Sequence, residues 1–124
     1  MNNSLTLEEL ISEYKTLPAI CAATDYSNNQ SVKNHNRAAD RMREIIELIK
    51  SDYQHFGTEK FQELLAVEEH RTNVWAAAQL LEILQLDKLN EAKALAIIKK
   101  VANGNDLDAI GFTTWLKEWN QRKK

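Results

Sequence analysis

The sequence is poor in residues that break helices or cross-link chains. Its 124 residues include three glycines, one proline and one cysteine. So few turn-forming residues argue against a β fold with many tight turns and suit an all-helical one. Cys21 has no second cysteine with which to form an intrachain disulfide or a thiolate zinc site. Because free cysteine is among the most buried residue types, we interpret Cys21 as a small thiol in or near the core.

The sequence also lacks a strong excess of either charge, with a net charge of −2 at pH 7. Nonspecific nucleic-acid binding and electrostatic membrane anchoring both need a basic surface, so we expect neither partner. No apolar run approaches the roughly 18 residues of a transmembrane helix. The first residues do not combine a basic segment with an apolar run, as a signal peptide does. We therefore expect a reduced, cytoplasmic protein.

What is present is the composition of a globular domain, with 44% hydrophobic and 27% charged residues. A chain of 124 residues fits one domain. It is long enough to bury a core without disulfide or metal support. We assign residues 1–124 to a single domain.

One stretch, Thr72–Leu86, is apolar on nearly every side of a helix. One set of its apolar residues follows the three- and four-residue spacing of a helix face, and a second set covers most of the opposite side. A helix with this pattern is buried, so we expect it to be the central helix of the fold. The first set is Val74, Ala77, Ala78, Leu81 and Leu84, and the second is Trp75, Ala76, Leu80 and Ile83.

Apolar periodicity elsewhere predicts five further helices. The first has Thr6 as the N-cap of a capping box and ends or kinks before Pro18. The longest has Ser31 as its N-cap and runs to about Phe56, with Gly57 at its carboxyl end. The other three are Thr58–Leu65, Glu91–Ala102 with Asn90 as N-cap, and Leu107–Gln121.

No alternation of apolar and polar residues persists for five positions, so no strand is predicted. The last four helices form two pairs joined by short connections, which is the unit of α-solenoids. Each pair must stack on a neighbour to bury its second face. We therefore predict an all-α fold of about six helices, a HEAT- or armadillo-like α-α superhelix made of a short stack of helical hairpins. The first two helices would form its amino-terminal cap.

The carboxyl half carries a recognisable pattern. Arg71 precedes Trp75-Ala-Ala, and Gly111-Phe112 precedes Leu116 and Trp119. Together with the segment 36–42, the pattern resembles a family of small bacterial HEAT-like domains of unknown function, over about residues 32 to 121. The resemblance implies an α-α superhelix with no assigned catalysis. Small proteins of this kind also resemble immunity proteins that are paired with bacterial toxins.

Catalytic and metal-binding patterns are scarce. His35, His55 and His70 are far apart, and none has the His-x3-His or His-Glu-x2-His spacing that binds zinc from one helix. Glu69 and His70 would point about 100° apart on a helix. We therefore predict no enzyme, no cofactor, no metal ligand and no catalytic residue. Catalytic groups that converge from distant helices remain an alternative.

Arg71 and the tryptophans allow two interpretations each. The guanidinium of Arg71 suits a bond to a neighbouring carboxylate or to helix-end carbonyls, and the alternative is a functional role. Trp75, Trp115 and Trp119 suit packing between helices. The alternative is an anchor for a partner, because tryptophan is enriched at binding hot spots.

The polar face of the longest helix carries Asp40, Glu44 and Glu47, which we call the acidic patch. A solvated helix face explains it, or a surface that meets a basic partner. The latter agrees with the resemblance, which implies an immunity protein that neutralises a cognate toxin domain of the contact-dependent or polymorphic type. The alternatives are a scaffold or adaptor subunit, or a small-ligand-binding or enzymatic protein with a cleft between helices. The sequence leaves the oligomeric state open.

Overall fold

The fold is known from a computed structural model that describes residues 5–84 and 86–122. Within these residues there are six α-helices and two short 3-10 segments, and no β-strand, which confirms the predicted all-α class. The superhelical arrangement stays a prediction. Residues 1–4, part of the segment considered for a signal peptide, lie outside the described residues. The helices are α1 (Leu7–Ala22), α2 (Asn29–Asp52), α3 (Gln54–Phe61), α4 (Thr72–Ile83), α5 (Lys88–Ala102) and α6 (Leu107–Arg122), and the 3-10 segments are Gln62–Ala66 and Glu69–Arg71.

The first helix begins as predicted and ends later. Thr6 Oγ1 accepts a hydrogen bond from the Glu9 N–H at 3.1 Å, and Glu9 Oε1 accepts one from the Thr6 N–H at 2.8 Å, which completes the capping box. The expected end or kink before Pro18 is wrong, because α1 continues to Ala22. Pro18 removes one backbone hydrogen bond. Burial of Leu17, Pro18 and Cys21 against the core offsets that loss.

The boundaries of α2 differ from the prediction at both ends. Its N-cap is Asn28, whose Oδ1 accepts a hydrogen bond from the Ser31 N–H at 3.0 Å, so the assignment of Ser31 as the cap is wrong. The helix ends at Asp52 instead of near Phe56, because Gln54 takes a left-handed backbone conformation with φ 49°. The chain bends at this point, and α3 begins directly.

Gly57 does not end a helix as predicted but lies inside α3. A Cβ atom at this position would lie 2.6 Å from Ile49 Cγ2 and 2.7 Å from Tyr53 Cβ. Glycine is needed here because α3 packs directly on the end of α2. The helix predicted over Thr58–Leu65 is therefore displaced, and its second half is a 3-10 segment.

The central position predicted for Thr72–Leu86 is confirmed, although α4 ends at Ile83 and Gln85 lies outside the described residues. One side of α4 joins the amino-terminal cluster and the other joins the carboxyl-terminal cluster, the names used below for the two cores. The amino-terminal cluster is Leu7, Leu10, Tyr14, Leu17, Cys21, Ala38, Met42, Ile45, Ile46, Ile49, Phe61, Leu64, Ala76, Leu80 and Leu84. The carboxyl-terminal cluster is Ala77, Ala78, Leu81, Ala94, Ile98 and Trp119.

The helix α5 packs against both α4 and α6. Asp87 is the N-cap of α5, because its carboxylate accepts the Asn90 N–H at 2.8 Å, so the assignment of Asn90 as the cap is wrong. Asp106 performs the same function at the start of α6 by accepting the Ala109 N–H at 3.0 Å. The helix α6 buries Ala109 and Trp119 and leaves the side facing away from the core exposed.

Candidate functional site

An open cleft lies beside α4, bordered by the end of α1, by α2 and by α6. Its volume of about 510 Å3 lies in the range of roughly 300–1,000 Å3 that small-molecule sites occupy. Both apolar and polar side chains line it. The apolar ones are Pro18, Cys21, Ala22, Val74, Trp75, Ala78, Phe112 and Trp115, and the polar ones are His35, Arg43, His70, Arg71, Gln79, Glu82 and Asp108.

Gln79 is the most enclosed polar residue of the cleft, with 5% of its surface exposed. Its side-chain oxygen accepts a 2.6 Å hydrogen bond from the Tyr14 hydroxyl. Its Nε2 has no hydrogen-bond partner among the described residues. Among the described residues, every side-chain nitrogen or oxygen that is completely buried has a hydrogen-bond partner. Because Nε2 has none, it must be accessible at a surface of the protein. The surface that Gln79 lines is the cleft, where this amide offers its unused donor hydrogens.

Tyr14 fixes the orientation of that amide. Its ring is fully buried and packs edge-on against Phe61, with the ring centroids 4.7 Å apart. Burial raises the pKa of Tyr14, so its hydroxyl stays protonated and donates at neutral pH. Because the hydroxyl holds the oxygen of Gln79, the amide nitrogen is left for the cleft.

Glu82 joins three helices at one edge of the cleft. Its Oε2 accepts a 2.6 Å hydrogen bond from Trp115 Nε1 on α6. Its Oε1 lies 3.7 Å from the guanidinium of Arg43 on α2. Trp115 in turn stacks on Trp119, with ring centroids 5.5 Å apart and planes 7° from parallel. Trp115 and Glu82 are therefore fixed at this edge, whereas Arg43 is held only by a long contact.

The opposite edge is held by Arg71, which forms ion pairs with Asp106 at 2.7 Å and with Asp108. The predicted carboxylate partner of Arg71 is thus confirmed. The hydrogen bond to Asp106 raises the pKa of Arg71, and the same bond lowers the pKa of Asp106. His70 and Arg71 both have left-handed backbone conformations, with φ 53° and 59°. Such conformations are uncommon for residues with a Cβ and persist only where the surroundings hold them.

Aromatic rings and a thiol close the third side. The ring of His35 lies 6.1 Å from that of Tyr26 and 6.4 Å from that of Trp75, and its Nδ1 is 3.0 Å from Thr24 Oγ1. Cys21 is buried as predicted, and burial raises the pKa of its thiol to about 11. The thiol is therefore protonated at neutral pH and is a poor nucleophile.

The acidic patch lies on exposed positions of α2, and none of its three residues lines the cleft. Glu44 forms an ion pair with Arg41, whose guanidinium also forms a 2.7 Å pair with Glu13. Asp40 and Glu47 are exposed. Since Arg41 compensates part of the negative charge, the patch is only weakly acidic. Its role in partner binding stays a prediction.

Only some residues of the cleft were predicted from the sequence. Arg71, Trp75 and Trp115 were singled out and all line it, whereas Trp119 is buried behind Trp115. Gln79 was missed, since its role depends on a contact with a tyrosine 65 positions away. Two histidines that are distant in the sequence also meet here, namely His35 and His70.

Other chemistry is sparse in the described ranges 5–84 and 86–122. They contain no group of three or more His, Cys, Asp or Glu side chains that could hold a metal ion. His55 pairs with Glu59 at 3.0 Å on the exposed side of α3. No helix among these residues is long and apolar enough to cross a membrane. Comparison with protein-family models, curated proteins and solved structures gives no match.

Proposed function

We propose that the protein is a non-catalytic binding module of the immunity type, which neutralises a cognate toxin domain by holding part of it at the cleft. The observation that carries this proposal is the composition of the cleft edges. Trp75, Trp115, Arg43 and Arg71 come from different elements and surround one preformed concavity. Tryptophan and arginine are the residue types that contribute most at protein interfaces, especially around a pocket.

The rigidity of these edges supports the same function. Trp115 is fixed by Glu82 and Trp119, and Arg71 is fixed by Asp106 and Asp108. Side chains that are already ordered lose little entropy when a partner binds. Arg43 is different, because 57% of its side chain is exposed and its contact with Glu82 is long, at 3.7 Å. It is free to turn towards a carbonyl group of the partner.

The acidic patch has a secondary role in this proposal. It lies on the same helix as Arg43 but outside the cleft. Exposed charges at the border of an interface act mainly on association rates and on orientation. Reversal of Asp40, Glu44 and Glu47 together to lysine should therefore slow association more than it speeds dissociation. The circular dichroism spectrum should stay helical.

The test is co-expression with the toxin-like product of a neighbouring reading frame. The chain should restore growth and co-purify with that product. Arg43→Ala should weaken the complex about tenfold in calorimetry, in keeping with a moderate hot spot. Lys99→Ala is the matched control, because Lys99 is an exposed cation on α5 that does not line the cleft. Failure to rescue growth together with failure to co-purify would contradict the immunity function.

A further inference from the structure

The cleft contains a hydrogen-bond donor that is not used by any described group of the protein. Gln79 is 5% exposed, and its Nε2 has no hydrogen-bond partner among the described residues. Because Nε2 reaches the surface of the cleft, water solvates it in the free protein, and a ligand that displaces this water must offer an acceptor in its place. The Tyr14 hydroxyl donates a hydrogen bond to the oxygen of this amide. The amide therefore cannot exchange the positions of its oxygen and nitrogen without losing that hydrogen bond. The amide is therefore oriented to donate to something that enters the cleft.

The two carboxylates that line the cleft already have partners. Glu82 accepts from Trp115 Nε1 and faces Arg43, and Asp108 is paired with Arg71. These contacts compensate both guanidinium groups of the lining, and Asp106, which does not line the cleft, adds a further negative charge beside Arg71. An anion would have to compete with both carboxylates, whereas a neutral oxygen would not. The group that best matches Gln79 Nε2 is thus a neutral acceptor.

The walls near Gln79 indicate the shape of the ligand. Trp75, Phe112 and Trp115 line the cleft with flat aromatic rings, and Val74 and Ala78 add small apolar surface. Flat rings pack best on other planar groups, in stacked or edge-to-face geometry. The volume of about 510 Å3 leaves room for one or two rings.

We infer that the cleft binds a small, neutral, planar aromatic molecule with a carbonyl oxygen, and that Gln79 Nε2 donates a hydrogen bond to that oxygen. Aromatic amides and lactams belong to this class. This goes beyond the proposed function, because it requires no partner protein. It is tested on the purified chain alone, so its outcome is independent of whether a toxin binds.

The first test uses benzamide and toluene as probes of the wild-type protein in two-dimensional NMR. Both rings should shift the indole N–H resonances of Trp75 and Trp115. Only benzamide should shift the side-chain amide resonances of Gln79. Benzamide should also bind about five- to tenfold more tightly than toluene, the factor expected of one neutral hydrogen bond. Equal affinities, or shifts confined to residues outside the cleft, would overturn the inference.

The second test removes the donor and its buried partner together. The double variant Tyr14→Phe/Gln79→Met leaves no buried hydroxyl without a partner and keeps the apolar walls, so we expect it to fold. It should bind toluene as the wild type does and lose the five- to tenfold preference for benzamide. Gln62→Met is the matched control, because Gln62 is half-buried outside the cleft, and it should keep the preference. A preference unchanged in the double variant would overturn the inference.

Tyr14 is a positioning residue here, and its single variant tests that role. Tyr14→Phe keeps the Gln79 amide but frees it to turn over. Benzamide affinity should fall about two- to threefold, and toluene affinity should stay constant. The Gln79 amide resonances in the free protein should move, whereas benzamide should still shift them on binding. If Tyr14→Phe leaves these resonances in place, the hydroxyl does not orient the amide and the inference loses its basis.

Discussion

The two clusters that share α4 are packed to different degrees. In the amino-terminal cluster, large side chains such as Tyr14, Met42, Ile46 and Phe61 are completely buried. In the carboxyl-terminal cluster, the large side chain that is completely buried among the described residues is Ile98. Of the aromatic residues of α6, Trp119 is buried with 8% of its surface exposed, and Phe112 and Trp115 are half-buried. Because stabilisation scales with the apolar area that is buried, the first cluster carries more of the folding free energy.

The carboxyl-terminal region also differs in its exposed apolar surface and in its reliance on polar contacts. The helix α6 exposes Leu107 by 82% and Ile110 by 67%. Besides its apolar contacts, it is held to α4 by the Trp115–Glu82 hydrogen bond and to the start of α4 by the ion pairs of Arg71. Regions with few buried contacts open at lower free energy than the rest of a fold. We therefore expect the α5–α6 pair to open before the remainder unfolds, and the cleft to lose one wall when it does.

The largest effect is expected from Phe61→Ala in the amino-terminal cluster. Phe61 is completely buried, and Tyr14 packs edge-on against it. The substitution should lower the free energy of unfolding by about 3–5 kcal/mol. Urea denaturation followed by circular dichroism measures the loss. A loss below about 1 kcal/mol would show that this cluster does not dominate stability.

Ile98→Ala should lower the free energy of unfolding by a smaller amount, about 2–4 kcal/mol. Its effect should be largest in α5 and α6. Ile98 is buried between α5 and its neighbours in the carboxyl-terminal cluster. Native-state hydrogen exchange should show faster exchange for amides of α5 and α6, with little change in α1 and α2. If the amides of all six helices accelerate equally, the two clusters unfold as one unit and the contrast between them disappears.

Two glycines provide a matched pair, one in each region. Gly57→Ala places a methyl group where Ile49 Cγ2 would be 2.6 Å away and Tyr53 Cβ 2.7 Å away. Helix propensity alone favours alanine. The clash outweighs it, so we expect destabilisation of about 1–3 kcal/mol. Thermal unfolding measures the result, and an unchanged or raised melting temperature would mean that α3 is free to move away from α2.

Gly111→Ala should have the opposite effect on stability. A Cβ atom at position 111 has nothing within 4 Å, and the residue lies inside α6 with an ordinary helical φ. Alanine should therefore stabilise the protein by about 0.5–1 kcal/mol by lowering the entropy of the unfolded chain. Slower hydrogen exchange within α6 is the specific readout. A decrease in stability would show that the exposed side of α6 has a contact that requires glycine.

These glycines also show what the sequence could predict. The three- and four-residue periodicity correctly predicted the class and the central helix, because core packing requires it. Periodicity did not show whether Gly57 ends a helix or lies where two helices pack closely, since glycine is favoured in both situations. The same limit explains two misplaced caps, where Ser31 was chosen over Asn28 and Asn90 over Asp87. All four are good cap residues.

The cleft was less predictable than the fold. For Arg71 the sequence suggested a neighbouring carboxylate or helix-end carbonyls as partners, because its fork of donors suits both, and the structure shows the carboxylates of Asp106 and Asp108. Gln79 gave no local signal, since its neighbours on α4 are apolar and its partner Tyr14 is on α1. The meeting of His35 with Trp75 likewise depends on how α2 packs beside α4. Residues that act through tertiary contacts are not visible in helical periodicity.

The smallest effects should come from the two arginine ion-pair groups, one in each region. The hydrogen bond from Arg41 lowers the pKa of Glu13, and that from Arg71 lowers the pKa of Asp106. These carboxylates bind protons more weakly in the folded chain than in the unfolded one. Their ion pairs therefore stabilise the fold fully when the pH is above the ordinary pKa values of 4.5 for Glu13 and 3.8 for Asp106. The stabilisation is lost as the pH falls through the lowered values. Arg41→Met should cost about 1 kcal/mol or less at pH 7, since both partners are partly exposed.

Arg71→Met should change global stability less than Arg41→Met, because its carboxylate partners are largely exposed. Its effect should instead appear as faster exchange in α6, the helix that these ion pairs hold against α4. For both variants, the difference from the wild type should shrink as the pH falls below the ordinary pKa values of 4.5 and 3.8, because protonation of Glu13 and Asp106 removes the ion pairs from the wild type too. Two outcomes would contradict the proposed division of the molecule. One is a constant difference across this range, and the other is an Arg71→Met effect on α1 and α2 as large as that on α6.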